Sequence, residues 1–239
     1  PAVFRALAPV MPDHVQAFTG LPGVCTAYGR DAGGQTYNDH LMFGGGQGGS
    51  AAGDGQAALM YPTSAGNVPV EMFEQRTPML VERKEFIPDS GGPGLHRGGL
   101  GQRVVVRKLR DTDLTALVTV APHGTGSPVH GLLGGQPGGQ AHSKIAGAAA
   151  GAREDIVQLV ELQDPSDVIR VEAAGGSGYG DPRARPVELI AQDLVEGYIT
   201  QKGLAEYGAR IVDGAVVRRP PRKSVARSKR QTRKQRNPR

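Results

Sequence analysis

Short segments of alternating hydrophobic and polar residues recur along the chain, and this period of two is typical of half-buried β-strands. The pattern predicts strands at residues 23–30, 37–43, 79–87, 103–109, 114–120, 156–162 and 167–172. Residues 103–109 and 114–120 flank the polar turn 111–113. We therefore predict that these two segments pair as a hairpin.

Helical spacing occurs in fewer places. Residues 1–21 contain a short helical pattern, residues 70–76 a second, and residues 186–196 an amphipathic one that begins with proline and ends near Gly197. Thr200 can cap a further short helix at residues 201–207, and the Asp-Gly pair within residues 211–216 predicts a terminal hairpin. We predict an α+β, β-rich fold with glycine-rich loops and a short C-terminal helical hairpin.

Glycine dominates the segments between the predicted strands. The chain has 36 glycines and 18 prolines in 239 residues, without a collagen period, and most of the glycines lie in four clusters. One long cluster is residues 89–101, D-S-G-G-P-G-L-H-R-G-G-L-G, in which six of the 13 residues are glycine. Such a run allows positive φ and lets a ligand or another backbone come close, at a cost in folding entropy. We predict a shaped loop here, with simple turn formation as the alternative.

Three polar side chains in this cluster are the candidate catalytic residues. Asp89 could move a proton or fix the loop, Ser90 supplies a hydroxyl, and Arg97 has a fork of donors suited to a carboxylate or phosphate. The alternatives are an Asx or Ser turn at Asp89 and Ser90, and a salt bridge from Arg97 to a neighbour such as Glu85.

The sequence gives no sign of its own nucleotide or metal site. It contains neither the phosphate-binding G-x-x-x-x-G-K-[ST] motif nor a G-x-G-x-x-G that opens a helix. The six histidines lack metal-ligand spacing. His123 and His130 could converge with Asp39 or His40, although solvated loop histidines are the simpler interpretation. We therefore predict no metal ligands in this segment.

The net charge of +5 comes from one end of the chain. Eleven of the 28 basic residues lie in residues 218–239, which contain no acid, so residues 1–217 hold 17 basic and 23 acidic residues and carry a net charge of −6. We predict that residues 1–217 form the folded domain and that residues 218–239 are a disordered basic tail. Nucleic acid is expected to bind only nonspecifically, through this tail.

Cysteine content and hydropathy predict the compartment. Cys25 is the only cysteine, which excludes an internal disulfide and fits a reducing compartment. A small buried side chain is a better interpretation of Cys25 than a nucleophile. No stretch is long and apolar enough to span a membrane, so we predict a cytoplasmic protein.

Three motifs together resemble the hydantoinase B/oxoprolinase family. They are the P-V-E of residues 69–71 with D-S-G-G-P-G and R-G-G in residues 89–99, the G-G-G-Q-G of residues 44–48, and the closing strand with G-G-S-G-Y-G-D-P in residues 167–182. The resemblance covers about residues 33–212. It assigns a substrate or interface loop to Gly44, Gly45, Gly46, Glu71, Gly91, Gly92, Gly94, Gly98, Gly99, Gly176 and Tyr179.

The resemblance implies a subunit that opens a hydantoin or other five-membered lactam together with an ATP-binding, hydantoinase A-type partner. It covers only the C-terminal part of the family's chains. The resemblance therefore implies that an N-terminal part completes the subunit and binds any divalent metal. Residues 122–139 also lack the S-E-R stretch that usually precedes G-L-x-G-G. Alternatives are a subunit of a related ATP-dependent ketone carboxylase, or a noncatalytic assembly module with a polyanion-binding tail.

Overall fold

The fold is β-rich with three short helices in the part of the chain that the structure describes. This computed structural model describes residues 2–30, 33–63, 65–109, 116–121, 130–148, 151–154 and 159–219, with residues 116–121 described only as backbone. The helices are α1 Ala2–Leu7, α2 Val70–Arg76 and α3 Val187–Val195. The strands are β1 Gly23–Arg30, β2 Thr36–Phe43, β3 Met79–Phe86, β4 Gln102–Lys108, β5 Ala116–Ala121, β6 His142–Ala146, β7 Arg153–Glu154, β8 Leu159–Leu162, β9 Val168–Glu172, β10 Ala209–Val212 and β11 Ala215–Arg218.

Two antiparallel sheets and a small C-terminal hairpin contain these strands. The first sheet has the order β2-β1-β5-β8, and the second has the order β3-β4-β9-β6-β7. Alternation of buried and less buried positions along β4 places Val104 and Val106 on the inner face, while Arg103 and Arg107 lie on the outer face. This pattern is expected for strands with one buried face.

The main core lies between the inner faces of the two sheets. Cys25 and Leu41 come from neighbouring positions on β1 and β2, and Val104 and Val171 from neighbouring positions on β4 and β9. All four are fully buried. Burial of Cys25 raises the pKa of its thiol to about 12, which fits the predicted role as a small core side chain.

The α+β, β-rich fold class is confirmed. β1 and α2 have the predicted boundaries, and β10 and β11 form the predicted hairpin around Asp213 and Gly214, which both have positive φ. The second half of the C-terminal helical hairpin is a single 3-10 turn, Gly203–Ala205. Arg218, the first residue of the predicted tail, is the last residue of β11, while residues 220–239 lie outside the described part.

The predicted hairpin of residues 103–109 and 114–120 is wrong. β4 pairs with β3 and β9, whereas β5 pairs with β1 and β8 in the other sheet. The chain therefore crosses between the sheets after β4. Each of the two strands lies between two other strands of its own sheet, and pairing on both edges outweighs the proximity in sequence that favours a hairpin. The turn 111–113 lies outside the described residues.

No helix within the described residues is long and apolar enough to cross a membrane.

Candidate functional site

The four glycine-rich segments meet at one end of the two sheets. Residues 44–55 follow β2, residues 89–101 connect β3 to β4, residues 131–139 precede β6, and residues 173–180 follow β9. Because the strands are antiparallel, strand ends and strand starts lie side by side, and the topology places all four segments next to one another. We call these four segments together the glycine block.

Backbone hydrogen bonds join the segments directly. The Gly99 amide donates to the Gln47 carbonyl at 2.7 Å, the Gly176 amide to the Gly99 carbonyl at 2.9 Å, and the Gly92 amide to the Gly176 carbonyl at 2.7 Å. A Cβ on Gly99 would lie 1.9 Å from the Gln56 carbonyl oxygen, and one on Gly176 would lie 1.9 Å from the Gln47 carbonyl oxygen. Glycine is therefore required because backbones pack against backbones.

Positive φ is not the reason for the predicted loop glycines. In the glycine block, positive φ occurs at Gly53, Gly134 and Gly180, and among non-glycine residues at Asp89 and Leu133. Each predicted loop glycine instead lies where a Cβ would come within about 2.5 Å of a backbone oxygen of another residue. The glycines with this environment are Gly44, Gly45, Gly46, Gly91, Gly92, Gly94, Gly98, Gly99 and Gly176.

Asp89 and Ser90 make contacts that hold the loop in place. The Asp89 carboxylate accepts hydrogen bonds from the Thr200 amide at 2.8 Å and the Thr200 hydroxyl at 2.5 Å. The buried Ser90 hydroxyl donates to the Ile87 carbonyl at 2.6 Å and accepts from the Gly101 amide at 2.9 Å. These bonds fasten the start of the loop to its end and to the segment after α3.

Arg97 binds a carboxylate, and that carboxylate belongs to α3. The Arg97 side chain is only 6% exposed, and its Nε donates to Asp193 Oδ1 at 3.4 Å. Its Nη1 donates to the Gly98 carbonyl at 2.7 Å, and the guanidinium lies 4.9 Å from the centre of the Tyr198 ring. The alternative pairing with Glu85 does not form, because Glu85 binds Arg103.

A charge cluster with three buried members, Arg97, Arg185 and Asp193, and the more exposed Asp54 completes the support of this loop, and the sequence interpretation does not include it. Arg185 forms a bidentate pair with Asp54, both distances 2.7 Å, and its Nη2 also donates to Asp193 at 2.8 Å. Asp54 in turn accepts from the Arg97 amide at 2.7 Å. The one available signal is a carboxylate between two glycines, Gly53-Asp54-Gly55, which resembles the glycine-rich setting of Asp89.

The two acids of this cluster have shifted pKa values of opposite direction. Burial opposes ionisation of Asp54, but hydrogen bonds and charge from Arg185 and Arg97 outweigh it and lower the Asp54 pKa. The Asp193 side chain is more deeply buried. Burial is the largest influence there and raises the Asp193 pKa despite two neighbouring arginines.

The remaining candidate residues lie apart from this cluster. The Tyr179 hydroxyl donates to the Pro12 carbonyl at 2.9 Å, and its ring packs against Leu132. Glu71 is exposed in the first turn of α2. His40 contacts Thr26, and His123 lies outside the described residues. Among the described side chains, no group of three or more His, Cys, Asp or Glu could hold a metal ion.

An apolar cleft lies beside the glycine block. Its volume is about 710 Å³, which falls in the range of small-molecule sites. Residues of α1 and of the segment 16–21 contribute to its walls. The lining residues are Ala2, Phe4, Arg5, Ala6, Gln16, Ala17, Phe18, Thr19, Leu21, Tyr61, Pro62, His130 and Leu132. No predicted catalytic residue lines this cleft, although Tyr179 packs against Leu132 in its wall.

Solved structures with the same architecture are enzymes that use ATP. The ATP-dependent caprolactamase from Pseudomonas jessenii aligns with a TM-score of 0.74 and 26% identity, over 88% of this chain and 38% of that one. A nucleotide-free acetone carboxylase aligns with a TM-score of 0.70 over 90% of this chain and 34% of that one; at 19% identity this likeness shows the fold alone.

Sequence comparison defines the family. A model of the hydantoinase B/oxoprolinase family matches residues 1–182, and the chain therefore belongs to that family. The B subunit of a putative D-/L-hydantoinase from Pseudomonas sp. strain NS671 is 30% identical over 88% of this chain, and the beta subunit of the caprolactamase from Pseudomonas jessenii is 31% identical over 61%. The chain spans 36% and 25% of the lengths of these two relatives.

Proposed function

We propose that this chain is part of the B-type subunit of an ATP-dependent hydrolase that opens cyclic amides. One observation carries the proposal: the chain aligns over 88% of its length with a protein named as the B subunit of a hydantoinase. The likeness to an ATP-dependent caprolactamase supports the same class of substrate, because caprolactam is also a cyclic amide.

ATP is proposed to come from an A-type partner subunit. The relatives are named as B and beta subunits, and the sequence of this chain has no phosphate-binding loop. In this proposal the partner transfers a phosphoryl group to the amide oxygen of the substrate. That transfer releases ADP and makes the carbonyl carbon a better electrophile for water. Attack by one water breaks the C–N bond and leaves an acyl phosphate, which a second water hydrolyses to the carboxylate and inorganic phosphate.

The role proposed for Asp89, Ser90 and Arg97 is to position the glycine block. Their hydrogen bonds go to Thr200, to the loop itself and to Asp193, so these side chains fix the backbone of residues 89–101. An Arg97→Ala variant of the full assembly should lose turnover. The Arg97→Lys variant should have little more turnover than Arg97→Ala, because lysine lacks the planar fork of donors. Normal turnover by Arg97→Ala would contradict this role.

The test of function is ring opening coupled to ATP hydrolysis. A purified A-type partner is assayed with and without this chain, with hydantoin, 5-oxoproline and caprolactam as separate substrates. A second arm uses a chimera in which the chain replaces the aligned 224 residues of the Pseudomonas hydantoinase protein. We expect substrate-dependent ATP hydrolysis and ring-opened product from the chimera. A folded chimera that assembles with the partner and turns over none of the three substrates would refute the proposal.

A further inference from the structure

The apolar cleft has the lining of a binding site for a small apolar molecule. Its walls present the rings of Phe4 and Phe18, together with Leu21, Tyr61 and Pro62. Leu21 and Tyr61 remain 37% and 40% exposed, so the wall offers apolar surface that the other described residues do not cover. Each buried CH₂ of a ligand would gain roughly 0.8 kcal/mol from leaving water.

Polar groups are few in the cleft, and they divide into two sets. The deeper polar side chains are already engaged with protein groups: Gln16 accepts from Gln47, and Thr19 accepts from the Gly48 amide. The exposed ones are Arg5 and His130. Within the described residues, neither of these two side chains has a hydrogen-bond or ion-pair partner, and no carboxylate lines the cleft.

The lining therefore combines an apolar body with a guanidinium and an imidazole at the solvent side. A guanidinium with all its donors available recognises a planar carboxylate by two parallel hydrogen bonds. A ligand ammonium group has no acidic partner among the lining side chains, so a cation is disfavoured.

We propose that this cleft binds a small apolar carboxylate, with the hydrocarbon part against Phe4 and Phe18 and the carboxylate at Arg5. The inference deepens the proposed function and rests on it only for the identity of the natural ligand. Opening a cyclic amide by hydrolysis breaks the C–N bond, adds one water and leaves a carboxylate and an amine. For hydantoins the freed nitrogen stays in an uncharged urea group, so the product has one carboxylate and no ammonium group, and an apolar ring substituent would supply its hydrocarbon part.

The experiment measures binding to the full 239-residue chain without ATP or a partner, so it remains informative if the proposed function fails. The probes are 4-phenylbutyrate, the neutral 4-phenylbutyramide and the cation 4-phenylbutylamine. Binding of each probe is measured by calorimetry and by changes in the NMR shifts of labelled protein. We expect 4-phenylbutyrate to bind best, and the amide to bind about fivefold or more weakly because it lacks the charge for Arg5.

Three variants locate the site. Ala6→Trp fills the cleft from an exposed position on α1, which leaves the core intact, and should abolish binding of the acid and the amide. Arg5→Gln should weaken the binding of 4-phenylbutyrate about fivefold and leave the binding of 4-phenylbutyramide unchanged. Arg153→Gln, an exposed arginine on β7, is the charge-matched control and should change neither.

Three results would overturn the inference. They are the absence of saturable binding, equal affinity for the acid, the amide and the amine, and unchanged binding by a folded Ala6→Trp variant. Ring opening by the chimera combined with any of these results would place the substrate elsewhere while keeping the proposed function. Binding of 4-phenylbutyrate combined with no turnover would keep the site and refute the function.

Discussion

The replacement of Gly99 by alanine tests whether direct contact between backbones holds the glycine block together. Gly99 is buried, and a Cβ there would lie 1.9 Å from the Gln56 carbonyl oxygen and 2.9 Å from the Gln47 nitrogen. To reach even 3.0 Å from the Cβ, the Gln56 oxygen must move by about 1.1 Å. Neither contact can be relieved by rotation of a side chain, because both atoms belong to the backbone.

The magnitude follows from the hydrogen bonds that such a movement would break. The Gly99 amide donates to Gln47 at 2.7 Å, and the Gln47 amide donates to Gln56 at 2.9 Å. Loss of a buried hydrogen bond costs about 1–3 kcal/mol because its polar groups lose their partners. Disruption of both bonds should lower the free energy of unfolding by about 3–5 kcal/mol.

The measurement is the free energy of unfolding from urea denaturation, followed by circular dichroism. The matched control is Gly66→Ala, since Gly66 is exposed, has ordinary φ and has open space where a Cβ would be placed. That control should change stability by less than about 1 kcal/mol, with stabilisation expected from the lower entropy of the unfolded chain. Equal denaturation midpoints for the two variants would refute the packing argument.

Three further predictions concern individual ionisable side chains. Asp193→Ala should lower the free energy of unfolding by about 3–5 kcal/mol, measured in urea, because the buried Arg97 and Arg185 side chains lose the oxygens that accept their hydrogen bonds. Glu188→Ala on the exposed face of the same helix should have little effect, and equal losses for the two variants would contradict the cluster's role. The Cys25 thiol, whose pKa is raised to about 12 by burial, should react with a thiol reagent at neutral pH only after denaturant is added; fast labelling of the folded chain would show that β1 opens readily. The pKa of Asp54 is lower in the folded chain than in the unfolded chain, so ionised Asp54 stabilises the fold at pH values above the unfolded-state pKa. The free energy of unfolding of the unsubstituted chain should therefore exceed that of Asp54→Asn by its full margin at neutral pH, and the margin should shrink as the pH falls below about 4. A margin that grows on acidification would show that the pKa shifts in the opposite direction.

Local elements can be predicted from the sequence because they depend on neighbouring residues. The alternation at residues 23–30 and the Asp-Gly pair at residues 213–214 act within a few positions, and the structure confirms both. The partner of β4 cannot be predicted in this way. Its pattern of valines fits any neighbour with a buried face, and only the whole topology selects β9 over β5.

The candidate site shows the same difference between local features, which the sequence predicts, and long-range contacts, which it does not. The glycine count predicts that a backbone approaches something closely, but a ligand and a second backbone leave the same signature in sequence. The structure shows backbone at each predicted loop glycine. The helical pattern assigns Asp193 to the polar face of its helix, yet Asp193 is only 4% exposed. The helical period indicates that a position faces away from the hydrophobic stripe, and it carries no information on a distant arginine that covers that position.

The glycine block also limits which single-base changes the gene can tolerate. Every amino acid that one base change can substitute for glycine carries a Cβ, so the mildest available replacement is alanine or serine. At Gly98, Gly99 and Gly176 even that first carbon would lie 1.9 Å from a carbonyl oxygen. Core positions such as Val104 have neighbours in the genetic code that differ by one methyl group. At these glycine positions the neighbour that differs by one methyl group is alanine, and that methyl group already clashes with a carbonyl oxygen, so the part of the domain with the fewest side-chain atoms has the narrowest route for sequence change.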